Sequence, residues 1–262
     1  SLVLRAPPIV DGEKKFALVL LVNSAENERA DRDEIRRLWA AKTESRMQAT
    51  GESVVVFLLG RSSALEEEAE TYGDLLQVDV EDSYRNMVYK IEAGFRWLND
   101  AVQSDFVAKI DSDTVVHIDR LYSLLRKYDT AQSEPWIACY SIPSNQPVRD
   151  KCSPWYISES DYPRSVMPSY CNGPGYAMKR GLFEQIVFEV EDAFLTGVVA
   201  SDVGEIKMME GVAFHRYTDI TDCDADGPTL SMQSTHFQLD QDIKSSKDLA
   251  AAWDWLKSVK CP

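Results

Sequence analysis

Two carboxylates one residue apart are the part of the sequence best suited to chemistry. Residues 106–111 form an apolar run that predicts a buried strand, and Asp111, Ser112 and Asp113 come at its carboxyl end. Carboxylates this close repel each other, and a hard divalent cation relieves that repulsion because it accepts oxygen ligands. Such a cation also bridges to nucleotide phosphates. We therefore expect Mn²⁺ or Mg²⁺ at Asp111 and Asp113, with Ser112 contacting a nucleotide diphosphate.

Two other interpretations of this pair stay open. The aspartates can be solvated turn residues that cap a helix starting at Thr114. The segment from Asp111 to Val115 also fits the DxDxT/V pattern of a haloacid-dehalogenase-type phosphatase, whose first aspartate is a nucleophile. That motif normally ends the first strand of its fold, whereas about three predicted strands precede Asp111 here.

The elements that position these carboxylates alternate along the first half of the chain. Apolar, β-rich runs predict four strands, at residues 16–23, 53–60, 75–80 and 106–111. Amphipathic patterns predict the helices between them, at residues 31–49, near 62–72 and at 83–102. This alternation predicts an α/β fold with a mostly parallel central sheet flanked by helices. Such sheets bind ligands beyond the carboxyl ends of their strands.

The first predicted strand is not followed by a glycine-rich phosphate loop. The sequence there reads VNSAENERADRDEIRRLW, so a diphosphate lacks a cradle of backbone amides and needs the metal. Arg32 and Arg36 are candidates to assist it as donor contacts. A solvated helix face is the other interpretation of these two arginines.

The second half is rich in loops. Prolines and aromatic residues interleave between residues 141 and 174, which excludes a continuous helix and suits the wall of a cleft. Trp155, Tyr156 and Tyr176 are candidates to stack on sugar rings, with a core position as the alternative. Helices are expected at residues 180–190 and near 245–260.

Composition narrows the possible partners. The chain has 262 residues and a formal charge of -15, from 43 acidic and 28 basic residues, which disfavours nucleic acid. No apolar run approaches the length of a membrane span. Five cysteines without CxxC spacing argue against a zinc ribbon, and disulfides are open to them with at least one cysteine left over.

Several separated segments, in order along nearly the whole chain, resemble the β-1,3-glycosyltransferases of glycosyltransferase family 31, the galactosyltransferase-like group. The matching segments are Arg32-x-x-Ile35-Arg36-x-x-Trp39, Phe57 to Gly60, Tyr72 to Leu76, Asp79 to Asn86 with Lys90, Asp111-Ser112-Asp113, Trp155 to Tyr176, Glu191-Asp192 with Gly197, and Thr235 to Gln238. Leu38 stands where the family has threonine, Ser112 departs from its DDD pattern, and Gly197 lies one residue further on than in the family.

The resemblance implies a GT-A type fold, a UDP-sugar donor, an inverting reaction and a Mn²⁺ requirement. By motif position, Asp192 is the catalytic base and Glu191 orients the acceptor. His236 completes the metal site, with a satisfied strand histidine as the alternative. Asp79 and Lys90 are donor contacts. Gly173 belongs to the aromatic acceptor loop.

The resemblance also implies a place and a substrate. We expect one catalytic domain over residues 1–262, with a nucleotide-sugar half over about 1–140 and an acceptor half over about 141–262. The expected location is the Golgi lumen, with any membrane anchor lying outside this chain. The expected reaction is β-1,3 transfer of galactose from a UDP-sugar to a glycan or glycoconjugate. Transfer of N-acetylglucosamine or N-acetylgalactosamine, or carbohydrate binding without turnover, are the alternatives.

Overall fold

A twisted mixed sheet forms the centre of the molecule. The computed structural model describes residues 2–8, 14–83, 86–153, 156–182, 206–209, 223–225, 227–235 and 248–261. Its strands are β1 (Val3–Arg5), β2 (Lys15–Asn23), β3 (Ser53–Leu59), β4 (Leu75–Val78), β5 (Gln103–Asp111), β6 (Thr114–Val116), β7 (Trp136–Ile142), β8 (Tyr170–Lys179), β9 (Lys207–Met209), β10 (Cys223–Asp224), β11 (Gly227–Pro228) and β12 (Met232–Ser234). Its helices are α1 (Arg29–Arg37), α2 (Arg46–Thr50), α3 (Glu66–Tyr72), α4 (Met87–Ala101), α5 (Ile118–Ala131) and α6 (Leu249–Ser258).

The main sheet has the strand order β1-β4-β3-β2-β5-β8-β7-β9. Its central strands β4, β3, β2 and β5 are parallel, while β8 runs antiparallel to both β5 and β7. Strands β2 and β3 are almost continuously apolar because a parallel sheet is covered on both faces. The expected α/β fold with a mostly parallel central sheet is therefore confirmed, and antiparallel pairings flank its parallel strands, β1 with β4 on one side and β8 with β5 on the other.

Each face of the sheet carries its own hydrophobic core. Along β2, Leu18 and Leu20 pack on one side with residues of α1, α5 and α6, whereas Val19 and Leu21 pack on the other with α4. This division follows from the two-residue repeat of a strand. Each fully buried side chain of this kind contributes about 1.5–3 kcal/mol. The two cores together hold the strand ends in fixed positions.

Most of the predicted elements correspond to elements of the structure. The four predicted strands correspond to β2, β3, β4 and β5, and the last predicted helix to α6. The predicted helix over residues 31–49 is wrong, because α1 ends at Arg37 and a separate α2 begins after Ser45, whose hydroxyl accepts a hydrogen bond from the Gln48 amide. The third predicted helix begins later, at Met87, and the sequence analysis did not predict β1, β6, β7, β8 or α5. The predicted helix over 180–190 lies mostly outside the described residues.

The second half is tied to the sheet by disulfides and small strand pairs. Cys139 bonds to Cys171 across β7 and β8, and Cys223 bonds to Cys261 beyond α6, while Cys152 is an exposed free thiol. Strand β12 pairs antiparallel with β6, directly after the Asp111-Ser112-Asp113 segment. Across the ranges given above, no helix has the length and apolar character needed to cross a membrane.

Candidate active site

The carboxyl ends of the parallel strands β2 and β5 meet at Asn23 and Asp111. These two residues are register partners in the sheet, and the Asn23 Nδ2 atom donates to the Asp111 Oδ1 atom over 3.3 Å. The Oδ1 atom of Asn23 is buried and makes no hydrogen bond. Asp111 therefore lies where the sequence predicted it, at the edge where α/β sheets bind ligands.

Asp111 is held by a lysine of its own strand. The Lys109 ammonium donates to Asp111 Oδ1 and, over 2.7 Å, to the carbonyl oxygen of Gly173. The Lys109 side chain is buried, while that of Asp111 is 27% exposed. Gly173 was predicted as an acceptor contact, so one buried ammonium joins it to a predicted metal ligand.

Ser112 is held in place by a hydrogen bond to Glu28. Its side chain is buried, its amide donates to the Asn23 carbonyl over 3.1 Å, and its hydroxyl donates to Glu28 Oε2 over 2.8 Å. The same Glu28 oxygen accepts from the Ala25 amide and the Ser24 hydroxyl. The Ser112 hydroxyl is thus engaged with the protein, and its predicted contact with a nucleotide stays a prediction.

Asp113 lies in the turn that joins β5 to β6. Its carbonyl oxygen accepts hydrogen bonds from both the amide and the hydroxyl of Thr235, each at 2.9 Å. Its carboxylate accepts from the Thr114 hydroxyl at 3.4 Å. The alternative in which the two aspartates cap a helix starting at Thr114 is wrong. Thr114 begins a strand, and the next helix, α5, begins at Ile118.

Arg32 and Arg36 belong to an ionic network rather than to a solvated helix face. Arg32 is fully buried and forms a two-bond contact with Glu68, at 2.8 and 2.6 Å. Arg36 forms a similar contact with Asp74 at 2.8 Å and reaches Glu68 at 2.7 Å. Their guanidinium groups are thus engaged with protein carboxylates, and their predicted donor contacts stay predictions.

The charges of this network shift the pKa values of Glu68 and Arg36. Burial alone would raise the pKa of Glu68, but hydrogen bonds and charges from Arg32 and Arg36 lower it. For Arg36, burial acts to lower the pKa, and the hydrogen bonds and charges of Asp74 and Glu68 raise it overall. Glu68 and Arg36 therefore stay ionised at neutral pH, and their ion pair is a fixed support under the strand ends.

Lys90 is also engaged with the protein. Its buried ammonium donates to the Asp82 carboxylate and to the Ser24 carbonyl, and Asp82 in turn accepts from the Gly60 amide. Asp79 is exposed and pairs with Arg61 at 2.7 Å. The two predicted donor contacts therefore differ, since Lys90 fastens the chain beneath the site and Asp79 lies at the surface.

Tyr176 and Tyr156 occupy different surroundings. Tyr176 is buried opposite Lys109 in the sheet, and its ring packs edge-on against Phe95 with centroids 6.2 Å apart. Burial and the Asp111 charge raise its pKa, so it stays a neutral phenol. Tyr176 therefore has the core position that was the alternative to stacking on a sugar ring. Tyr156 is half-buried in the loop between β7 and β8.

Four predicted site residues lie outside the described residues: Trp155, Glu191, Asp192 and His236.

Sequence reasoning missed three residues that the structure brings to this site, Asn23, Glu28 and Lys109. Asn23 had a usable signal, because it ends the strand next to β5 in a parallel sheet. Lys109 also had one, since residues i and i+2 of a strand share a face and Asp111 follows it by two. Nothing local marked Glu28, which meets Ser112 from 84 residues away.

Comparison with known proteins supplies the family. The Galactosyltransferase family model matches residues 30–210, a range that includes nearly all of α1, the carboxyl end of β5 and Asp111-Ser112-Asp113. The chain belongs to this galactosyltransferase family. The resemblance to glycosyltransferase family 31 is thereby confirmed, the mixed sheet fits the expected GT-A type fold, and the phosphatase alternative is removed.

Similar proteins carry galactosyltransferase names. The chain is 32% identical over 191 residues to Beta-1,3-galactosyltransferase 5 of Mus musculus, covering 70% of this chain and 60% of the relative. It is 28% identical over 207 residues to Beta-1,3-galactosyltransferase bre-2 of Caenorhabditis elegans, covering 71% and 58%. The matched region therefore spans about 60% of each of these relatives. Among solved structures, a mannosyltransferase of Pyrobaculum calidifontis in complex with GDP-Man and Mn²⁺ is similar at a TM-score of 0.44 and 17% identity, covering 77% and 56%.

Proposed function

We propose that this chain is the catalytic part of an inverting β-1,3-galactosyltransferase that transfers galactose from UDP-galactose to a hydroxyl of an acceptor glycan. The observation that carries the proposal is Asp111-Ser112-Asp113 at the joined carboxyl ends of β2 and β5, in a chain of the galactosyltransferase family. Ligand sites of α/β sheets lie at this edge. The relatives' names supply the donor sugar and the linkage.

The residues at this edge suit a divalent cation. Carboxylate oxygens are the ligands that Mn²⁺ and Mg²⁺ prefer. Among residues with described positions, which do not include His236, no group of three or more histidine, cysteine, aspartate or glutamate side chains surrounds a common point. Thr235, the residue before His236 in the sequence, donates two hydrogen bonds to the Asp113 carbonyl oxygen. We assign the metal to Asp111, Asp113 and His236, where it would neutralise charge on the leaving diphosphate.

Acid–base chemistry at the acceptor side completes the reaction. In the proposed step the Asp192 carboxylate takes the proton of the acceptor hydroxyl. The hydroxyl oxygen then bonds to the anomeric carbon from the face opposite UDP, while the bond from that carbon to the phosphate oxygen breaks and UDP leaves. One displacement inverts the anomeric centre, and Glu191 orients the acceptor. The loop that contains Trp155 and Tyr156 is the proposed acceptor wall, and Arg32, Arg36 and Lys90 act from beneath the donor side.

The disulfides support a lumenal site of action. Disulfides form and persist in oxidising compartments such as the secretory pathway, and this chain has two of them. We accordingly propose the Golgi lumen as the place of action.

Release of UDP tests the proposed function. Purified protein is incubated with Mn²⁺, a panel of glycoside acceptors, and UDP-galactose, UDP-N-acetylglucosamine or UDP-N-acetylgalactosamine in turn. We expect the fastest UDP release with UDP-galactose, and a β-1,3 linkage in the product by NMR. Asp192→Asn should lower turnover by about 10²–10⁴-fold through loss of the base. Chelation of the metal should abolish turnover.

Matched variants make this test specific. Asp254→Asn removes an exposed carboxylate of α6 and should leave turnover unchanged. Preference for an N-acetylhexosamine donor would replace galactose in the proposal and keep the rest. No UDP release from any UDP-sugar, with glycan binding retained, would favour the non-catalytic alternative.

A further inference from the structure

We infer that Arg149 is a positioning residue for acceptor binding, which holds the loop between β7 and β8 in one shape before the acceptor binds. This acceptor loop covers residues 143–169 and contains Tyr156, a residue of the proposed acceptor wall. The role of Arg149 rests on the proposed function, because it concerns the acceptor side of the same site. It is carried by one guanidinium group that donates to three carbonyl oxygens of this loop.

The acceptor loop has little regular structure to define its shape. None of its described residues, 143–153 and 156–169, belongs to a helix or to a strand of the sheet. Its two ends are joined, since Asn145 and Met167 form an antiparallel bridge and the Ser144 hydroxyl donates to the Met167 carbonyl over 2.7 Å. A loop that is fixed only at its ends keeps many conformations. Contacts inside the loop must therefore select one of them.

Arg149 supplies contacts of that kind across the loop. Its Nη1 atom donates to the Ile157 carbonyl over 2.8 Å, and its Nη2 atom donates to the carbonyls of Tyr162 and Arg164 over 2.6 and 3.1 Å. The Ile157 amide in turn donates over 3.0 Å to the carbonyl of Val148, the residue before Arg149. One side chain thus gathers three positions that follow it by 8, 13 and 15 residues.

Tyr162 is the residue where these contacts meet the packing of the loop itself. Its side chain is 5% exposed, its amide donates to the Ser158 carbonyl over 3.0 Å, and its hydroxyl donates to the Val166 carbonyl over 2.9 Å. Arg149 makes the shortest of its three hydrogen bonds to the carbonyl of this buried residue. The guanidinium group therefore joins the segment of Tyr156 to the buried part of the loop.

The geometry of these contacts requires arginine at this position. The planar guanidinium group carries five N–H donors in a fixed fork, whereas the three donors of a lysine ammonium share a single nitrogen. Both terminal nitrogens of Arg149 are used, and each reaches a different part of the loop. The half-buried Arg149 side chain forms no ion pair within the described part of the chain, so carbonyl oxygens are the partners of its charge.

The acceptor loop leads directly to the candidate site. Beyond it the chain enters β8, where the Gly173 carbonyl accepts from the Lys109 ammonium, which also contacts Asp111. A loop held by Arg149 therefore presents a fixed surface beside the strand that carries Asp111. An acceptor that meets a preformed surface does not lose binding free energy to ordering it.

Hydrogen–deuterium exchange of the ligand-free protein tests the loop without any substrate. The wild type is compared with Arg149→Met, Arg149→Lys and Arg164→Met. We expect Arg149→Met to speed exchange of the Ile157 and Tyr162 amides at least about tenfold and to leave β2 and β5 unchanged. Arg164→Met is the matched control, because it removes the same charge from the same loop at an exposed side chain, and its exchange should equal that of the wild type.

Kinetics connect the shape of the loop to the acceptor. Arg149→Met should raise the KM for the acceptor about tenfold, with kcat and the KM for UDP-galactose changed less than about twofold. UDP release by hydrolysis of UDP-galactose without acceptor should also stay unchanged. Arg149→Lys keeps the charge but not the fork, so its exchange rates and acceptor KM should lie between those of the wild type and Arg149→Met. If Arg149→Met does not fold, Arg149→Lys carries both measurements.

Several results would overturn the inference. These are exchange in Arg149→Met equal to that in Arg164→Met, faster exchange throughout the chain, equal rises of the acceptor and donor KM values, or wild-type behaviour of Arg149→Lys. The proposed function fails separately, when the wild type releases no UDP from any UDP-sugar. Faster exchange confined to the acceptor loop would in that case show that Arg149 shapes the loop and would reject its part in acceptor binding.

Discussion

Glu68 compensates the charges of two buried or half-buried arginines beneath the candidate site. It is 1% exposed and accepts hydrogen bonds from both Arg32 and Arg36, of which Arg32 is fully buried. Arg32 also donates to the Ala25 carbonyl at 2.6 Å and to the Ser24 hydroxyl at 3.0 Å. Because the hydroxyls of Ser24 and Ser112 both donate to Glu28, the network reaches Ser112 through two further hydrogen bonds. Glu68 thus supports a site that it does not touch.

Replacing Glu68 by glutamine should strongly destabilise the fold. Glutamine keeps the size of the side chain but removes the charge that compensates two guanidinium groups. Breaking a buried ion pair in this way costs about 3–5 kcal/mol. Thermal unfolding should show a midpoint lowered by on the order of 10 °C. Glu67→Gln, an exposed change on the same helix, should leave the midpoint unchanged, and an equal effect of the two variants would contradict the buried network.

At this scale the sequence predicts types of residue better than their partners. Asp111 and Asp113 were predictable because a strand end and two close carboxylates are both local features. The surroundings of Arg32 and Arg36 were not predictable, since Glu68 and Asp74 lie more than thirty residues further along the chain. An arginine in a helix gives the same sequence pattern whether its side chain is solvated or paired with a distant carboxylate.

Strands and helices were predictable where the periodic pattern of apolar residues extends over many residues. The four parallel strands and α6 follow from their own patterns, whereas the break between α1 and α2 depends on tertiary contacts. Asp119 of α5 accepts from the amides of Arg46 and Met47 at the start of α2. The carboxylate that caps α2 is thus supplied by another helix. Strand β1 is only three residues long and pairs with β4, so its own pattern is too short to indicate it.

The connection after β3 tests the packing between elements. Gly60 follows β3, and its amide donates to Asp82 Oδ2 over 3.0 Å. A Cβ atom at this position would lie 2.5 Å from the Val80 carbonyl oxygen and 2.8 Å from Asp82 Cγ. Gly60→Ala must therefore displace backbone and should lower the free energy of unfolding by about 1–3 kcal/mol.

Chemical denaturation of Gly60→Ala measures this loss. Gly181→Ala is the matched control, because nothing lies within 4 Å of its added Cβ atom, and it should change the free energy of unfolding by less than about 1 kcal/mol. The Asp82 contact with Lys90 should weaken in Gly60→Ala alone, so the KM for the donor should rise in that variant. A Gly60→Ala protein as stable as the wild type would show that the β4–α4 connection adapts freely.

Over the whole molecule, the two halves of the chain meet at the centre of the sheet. Strand β8 from the second half pairs with β5 of the first half, and Lys109 joins Gly173 to Asp111 at that junction. The sequence indicated two halves but not how they interlock, because antiparallel pairing of β8 with β5 links residues about seventy positions apart. Long-range pairing of this kind leaves no local pattern.

The disulfide between Cys139 and Cys171 closes the loop that carries the predicted acceptor residues. It spans 32 residues, and for a loop of this length a disulfide contributes about 2–5 kcal/mol, chiefly by restricting the unfolded chain. The double variant Cys139→Ala with Cys171→Ala should lose that amount in denaturation. Because Cys171 lies two residues before Gly173, the KM of the double variant for the acceptor should rise more than its KM for the donor. Cys152→Ala, which removes the exposed free thiol, is the control and should change neither the free energy of unfolding nor the KM values. Equal rises of the acceptor and donor KM values in the double variant would mean that the loop supports the donor side as well.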